Sequence, residues 1–223
     1  MYFDPVQDGA ALVGLNKIDH KAYVFNDNGI LYTGAGTPLI GEKKYWLNTD
    51  GSLNSGWLYL DNWKMYFDEE TYEAKVGLRT IEGKRYIFDD NGVMQSYAGT
   101  PVINGRKYWF SEDGSLRTGW LNLGNWKMYF DPDTCEARVG LSAVGEKRYI
   151  FDNNGVMQSY AGTPVINGRK YWFSEDGSLR TGWLNLGNWK MYFDPDTCEA
   201  RTGLSAVGEK RYICLLYTSD AAD

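Results

Sequence analysis

Long apolar runs are missing from this sequence: no stretch of about eighteen or more apolar residues occurs, which excludes a membrane-spanning helix. Cysteine is scarce. The three present are too few for a disulfide framework and lack metal-ligand spacing, so neither they nor the single histidine points to a metal or a cofactor. Basic residues are outnumbered, with 23 Lys and Arg against 29 Asp and Glu and a net charge of -6. That balance speaks against a nucleic-acid partner, which needs clustered positive charge to displace counterions. A secretory leader is also missing, but Met1-Tyr2-Phe3-Asp4 reads as the middle of a repeat, so the expectation is a fragment that begins inside a larger parent.

Aromatic rings are what the chain has in abundance: nine Trp, 17 Tyr and nine Phe make up 16% of it. Flat amphipathic rings serve cores and also sugar or cation sites. Their placement is periodic. All nine Trp fall into three series with a spacing of 63: Trp46, Trp109, Trp172; Trp57, Trp120, Trp183; Trp63, Trp126, Trp189. Residues 88–150 and 151–213 differ at two positions only, Asp90 against Asn153 and Val139 against Thr202. A fixed period of this kind signifies stacked supersecondary units.

A finer step of 20–22 residues follows the last residue of each aromatic triplet, through Phe3, Phe25, Leu47, Phe67, Phe88, Phe110, Phe130, Phe151, Phe173 and Phe193. Each step holds a segment opening at Gly, a turn such as Asn104-Gly105, an aromatic strand such as Tyr108-Trp109-Phe110, and a second turn such as Glu112-Asp113-Gly114. This is a hairpin signature. Alternation puts Tyr108 and Phe110 on one face and Trp109 on the other, and likewise for Met128-Tyr129-Phe130 and Tyr149-Ile150-Phe151. One hairpin is marginal alone, so its apolar face needs the next hairpin. The fold expected is therefore all-β, a solenoid of stacked β-hairpin repeats of 20–22 residues grouped in threes as a 63-residue unit. The array would occupy residues 1–213. The step calls for Phe at 214 but finds Cys214, and residues 214–223 match no other segment. They resemble the translation of a sequencing-library adaptor and are expected to be non-native.

Thr118-Gly119-Trp120, the pair Tyr129-Phe130, a turn, and Gly140 opening the next step together resemble the cell-wall-binding repeat family. That family includes choline-binding modules, glucan-binding repeats and receptor-binding repeats of clostridial toxins. The likeness covers residues 1–213. It implies successive hairpins rotated by about a third of a turn, and a non-catalytic module attaching a larger secreted, surface-associated protein to a cell-wall or surface polymer, such as polysaccharide, teichoic acid or a host glycan. A structural spacer or a host-receptor-binding adhesin region is the alternative. Gly-Trp occurs once per three hairpins, the matching positions being Leu78, Leu141 and Leu204 in the next hairpin and Thr37, Thr100 and Thr163 in the third. The expectation therefore moves from choline at every junction towards sparser sites that gain affinity on a repetitive polymer.

Trp57, Trp120 and Trp183 read equally as packing residues and as ring walls for a sugar face or a quaternary ammonium. Trp126, between Asn125 and Lys127 in a turn, is hardest to hide in a core and is the foremost candidate, with Trp63 and Trp189. Tyr66, Tyr129 and Tyr192, and Tyr86 and Tyr149 from the following hairpin, complete the candidate ligand site, although a ladder of packing rings explains the Tyr series as well. Acidic turns such as Asp152-Asn153-Asn154-Gly155 read as hairpin turns in preference to calcium loops. Cys135 and Cys198 read as free thiols in a turn, and His20 as a surface turn residue. No nucleophile, base and acid are grouped, and no catalytic residue is assigned.

Overall fold

The computed structural model describes residues 11–214; Phe3 and the tail from residue 215 lie outside them. Within that range the chain forms strands and turns, with no α-helix. Seven hairpins have five-residue arms: Gly14–Ile18 with Lys21–Phe25, Gly56–Leu60 with Trp63–Phe67, Gly77–Ile81 with Lys84–Phe88, Gly119–Leu123 with Trp126–Phe130, Gly140–Val144 with Lys147–Phe151, Gly182–Leu186 with Trp189–Phe193, and Gly203–Val207 with Lys210–Cys214. Shorter ladders lie between them, including Leu39–Ile40 with Lys43–Lys44, Val102–Ile103 with Arg106–Lys107 and Val165–Ile166 with Arg169–Lys170. The long arms pair antiparallel, as in Gly119↔Phe130 and Trp120↔Tyr129. The chain divides into two compact units, residues 1–100 with 110–117, and residues 101–109 with 118–223.

Local chemistry explains the hairpins. Each long first arm opens on a glycine in the left-handed region, for example Gly56 at φ 84° and Gly119 at φ 84°, where a Cβ would be strained. The tip Asn104-Gly105 has both residues at positive φ, 51° and 77°, as a type I′ turn demands, and this suits the right-handed twist of the arms. Asp19-His20 forces the same geometry on a non-glycine pair, at 49° and 66°, so His20 is the exposed turn residue the sequence implied. The acidic turns serve backbone closure. Asp152 Oδ1 accepts from the amides of Asn154 and Val156, and Asp176 Oδ1 from the amide and hydroxyl of Ser178.

The core is a succession of small clusters, each made where one hairpin meets the next. In the first unit Leu58, Met65 and Phe67 pack with Trp46 and Ala74, and Ile81, Tyr86, Phe88 and Met94 pack with Trp57 and Tyr66. In the second unit Leu121, Met128 and Phe130 pack with Trp109 and Ala137, repeating the first cluster 63 residues on. The alternation read from Met128-Tyr129-Phe130 holds, with Met128 and Phe130 buried and Tyr129 half-buried. It does not hold for Tyr149-Ile150-Phe151, all three of which are buried because neighbouring elements cover both faces. Cys135 and Cys198 lie at the turns, as expected, and outside any disulfide, but both are fully buried, and Cys198 joins Ile150, Tyr171, Phe173 and Leu179.

Sparse polar links tie the hairpins. Backbone bonds run from Met94 N to Lys64 O at 2.8 Å in the first unit and from Met157 N to Lys127 O at 2.7 Å in the second. Ion pairs recur at the same interval: Lys21 with Asp50 and Lys84 with Asp113 in the first unit, and Lys147 with Asp176 in the second, at 2.9, 2.7 and 2.6 Å. The Lys84 ammonium and the Ser115 hydroxyl and amide hold the Asp113 carboxyl well below its usual range, yet both side chains stay largely exposed. Water screens such pairs, so they set register more than they stabilise.

Two outcomes are expected. Phe130 is fully buried, so Phe130→Ala should lower the stability of its unit by about 3–5 kcal/mol, read by urea denaturation. Asp194 accepts from the Thr197 amide and the Arg201 guanidinium, which lowers its carboxyl from 3.8 to about 2. A carboxyl depressed in the fold contributes stability that is complete above its unfolded value and is lost as pH falls through its folded one. The Tm of the wild type should therefore fall by a few degrees more than that of Asp194→Asn between pH 4 and pH 2, and equal slopes would remove Asp194 from the acid response.

Candidate functional site

The arms place one ring trio at each junction that follows a Gly-Trp. Trp57 sits opposite Tyr66 in the ladder, so both rings leave the same face of their hairpin. Tyr86 arrives from the next hairpin. The Trp57 ring meets Tyr66 at 5.2 Å and 72° and Tyr86 at 4.9 Å and 73°, edge to face in both cases. In the second unit Trp120 meets Tyr129 at 5.2 Å and 65° and Tyr149 at 5.0 Å and 73°. Trp183 meets Tyr192 at 5.1 Å and 62° and Tyr212 at 4.9 Å and 70°. Quadrupoles favour this T-shaped contact over face-to-face stacking, and it leaves ring faces turned into a corner.

The corners are open to solvent. The cleft at Trp57 measures about 260 Å³ and is bounded by Tyr59, Lys64, Glu82, Tyr86 and Asp113, with Met94 beneath. The cleft at Trp183 measures about 330 Å³ and is lined by Lys190, Tyr212 and Ile213 as well. Trp57 and Trp120 are half-buried and Trp183 is exposed, whereas Tyr86 and Tyr149 are buried. Burial pushes the phenols of Tyr86 and Tyr149 upward, so both stay protonated and neutral around physiological pH. Asp113 at the first corner already pairs with Lys84, and the Lys64 ammonium lies 5.5 Å over the Tyr59 ring. The corner thus offers flat apolar faces with a thin polar rim. Its lining holds no paired nucleophile and base.

Of the residues singled out from the sequence, Trp57, Tyr66 and Tyr86 come together, as do Trp120, Tyr129 and Tyr149, and Trp183 with Tyr192. Trp63 and Trp126 do not join them. Each closes the tip of its hairpin opposite Leu60 or Leu123, on the face of the buried Met and Phe, and so on the side away from the Gly-Trp ring. Trp126 is nonetheless 62% exposed, in keeping with its turn setting. The side chain of Trp189 lies outside the described residues. Tyr212 was missed, although it stands 63 residues after Tyr149, because it borders the point where the repeat pattern stops. Among the described residues no group of three or more His, Cys, Asp or Glu is placed to hold a metal ion.

Because Trp120 bridges two hairpins, Trp120→Ala should cost about 2 kcal/mol of stability, less than a fully buried ring, while Tyr129→Phe should stay within about 0.5 kcal/mol. Thermal denaturation of the two variants separates a bridging ring from a peripheral hydroxyl.

No protein-family model matches the chain. In sequence it is 28% identical over 175 residues to Glucosyltransferase-S of Streptococcus downei, covering 72% of this chain and 13% of that protein. It is 29% identical over 203 residues to Toxin B of Clostridioides difficile, covering 86% and 8%. The chain therefore spans roughly a tenth of the length of these relatives. In structure it is similar to CbpJ from Streptococcus pneumoniae TIGR4, with a TM-score of 0.53, 22% identity and coverage of 95% of this chain and 79% of that one. It is also similar to choline binding protein F from Streptococcus pneumoniae, with a TM-score of 0.52, 22% identity and coverage of 93% and 86%. At that identity the structural likeness is one of fold. The resemblance to the cell-wall-binding repeat family, first carried by Thr118-Gly119-Trp120 and Tyr129-Phe130, holds in sequence and in fold.

Proposed function

We propose that the chain is a non-catalytic binding module that attaches a larger secreted protein to a cell-wall or surface polymer. The observation that carries this reading is the ring trio built three times with the same contacts, on Trp57, Trp120 and Trp183. A corner of three rings takes a quaternary ammonium by cation–π attraction or the apolar face of a sugar by stacking. Each such site is weak, and repetition on one chain raises affinity for a polymer that repeats too. The sequence relatives support the reading by their names, a glucosyltransferase and a toxin, in which a segment of this size is a small part. The solved structures support it through choline binding protein F and through a peptidoglycan analogue present in one of that protein's crystals.

We infer the finer parts of the reading as well. Hairpins of 20–22 residues stack as a solenoid over residues 1–213, three per 63-residue unit, so that one ring trio falls in each unit. Residues 214–223 are a non-native tail. The module works outside the cell at a surface, with polysaccharide or teichoic acid as partner and host glycan as a second class of polymer. Tyr66, Tyr129 and Tyr192 face the ligand with the Gly-Trp ring, and Tyr86, Tyr149 and Tyr212 close the corner from the next hairpin. Trp63, Trp126 and Trp189 form a separate set at the hairpin tips.

Isothermal titration of choline, choline-bearing teichoic acid and soluble glucans against the full chain tests this. Each of Trp57→Ala, Trp120→Ala and Trp183→Ala should remove one site from the stoichiometry, and the triple variant should lower polymer affinity at least a hundredfold. Tight binding by a folded triple variant would refute the corner as the site.

A further inference from the structure

A second aromatic feature lies away from the ring trios. In the second unit the segment at Ser159, Tyr160, Ala161 and Gly162 runs beside Phe173, Ser174 and Glu175, and the two border an open cleft of about 390 Å³. That is within the range of small-ligand clefts, about 300–1,000 Å³. Tyr160 walls it and is 45% exposed. Its ring meets the buried Phe173 edge-on at 5.6 Å and 74°. Its hydroxyl donates to Gln158 Oε1 at 2.8 Å, and Gln158 Nε2 donates back to Val156 O at 3.2 Å. The ring is therefore fixed at both ends while one face stays in solvent, so little rotamer freedom remains to be lost on binding.

The same ring contact and hydrogen bonds recur in the first unit. Tyr97 is 47% exposed, meets Phe110 at 5.8 Å and 76°, and donates to Gln95 Oε1 at 2.7 Å, with Gln95 Nε2 again donating to Val93 O at 3.2 Å. The fold does not require this tyrosine. The earliest copy has Tyr32 where Gln95 stands and Gly34 where Tyr97 stands. Yet its turn closes in the same way, with Asn26 N bonded to Ile30 O at 2.9 Å as Asp89 N is to Val93 O, and with Phe25 bridged to Leu31 as Phe88 is to Met94. An exposed ring held in place twice, at a position the hairpin leaves optional, is a feature that folding leaves unexplained.

The lining sets the ligand class. One flat ring face, two serine hydroxyls and a carboxylate border the cleft, and none of its lining residues is basic. Arg180 donates to the Ser174 hydroxyl at 3.0 Å, but its guanidinium lies over the Trp172 ring. Glu175 opposes an anionic ligand, and a single exposed ring is a poor enclosure for a quaternary ammonium, which needs several faces. A neutral sugar ring fits, with its C–H face on the tyrosine and its hydroxyls towards the serines and the carboxylate. We propose that Tyr97 and Tyr160 are the platforms of two sugar-stacking sites, separate from the ring trios, each taking one hexopyranose of a neutral polysaccharide.

Affinity electrophoresis of the full chain through gels holding dextran, mannan or galactan tests this. Retardation is expected in at least one gel, and the folded double variant Tyr97→Ala/Tyr160→Ala should lose at least tenfold in apparent affinity. Tyr97→Phe/Tyr160→Phe keeps the ring and should stay within about threefold, and Trp57→Ala/Trp120→Ala/Trp183→Ala should keep a weaker retardation that adding the alanine pair abolishes. Should the alanine pair misfold, hydroxyl-radical footprinting of the unaltered chain gives the same answer, since Asp90 and Asn153 distinguish the two tryptic peptides by mass. Protection by the retarding polymer is expected at Tyr97 and Tyr160. Retardation in none of the three gels, an undiminished alanine pair, loss confined to the tryptophan triple variant, or unprotected tyrosines would each overturn the proposal.

Discussion

A two-stranded ladder of five residues has two faces and no interior. Its rings can leave water only against the rings of the hairpin that follows. That constraint governs the rest of the molecule, because neighbouring hairpins share few backbone pairings, such as Met94 N to Lys64 O and Arg85 with Leu116, and no sheet among the described residues is wider than four strands. The clusters around Phe67 and Phe130 are therefore junction clusters, and each hairpin contributes to the one before it and the one after. Removing one apolar ring affects two hairpins at once.

The ring trios are the same constraint carried to the surface. A Trp paired across its own ladder with a Tyr presents more ring than the next hairpin can cover, and the incoming Tyr86 or Tyr149 meets it edge-on. What is left over is a corner. Binding capacity of this kind grows from incomplete packing, which is why the same residue types supply both core and site. Where the position holds Leu78 or Leu141, the side chain is smaller and the ring trio is absent.

Much of this was legible in the chain as written. The spacing of 63 named equivalent tryptophans, glycine marked where each long arm opens, and alternation separated Met128 and Phe130 from Tyr129. Tyr149, grouped with Trp120 from the following hairpin, meets that ring at 5.0 Å. Other features were hidden because they depend on which face a neighbour covers. Trp126 looked like the best ligand ring from its polar flanks, yet the pairing Leu123↔Trp126 sends it to the face opposite Trp120. Cys135 read as a thiol in a turn, and its burial was not legible, because the turn folds inward only against the neighbouring elements.

The sequence by itself determined the hairpins, their step and the identity of the rings, because strand alternation and turn geometry are local properties of a few residues. Only the tertiary structure decided which rings meet. Edge-to-face contacts near 5 Å between Trp57 and Tyr86 depend on how one ladder seats on the next, a placement set by packing between residues 29 positions apart. The held but exposed Tyr160 belongs to the same class, since its partner Phe173 comes from beyond the adjoining short ladder and no spacing rule announces it.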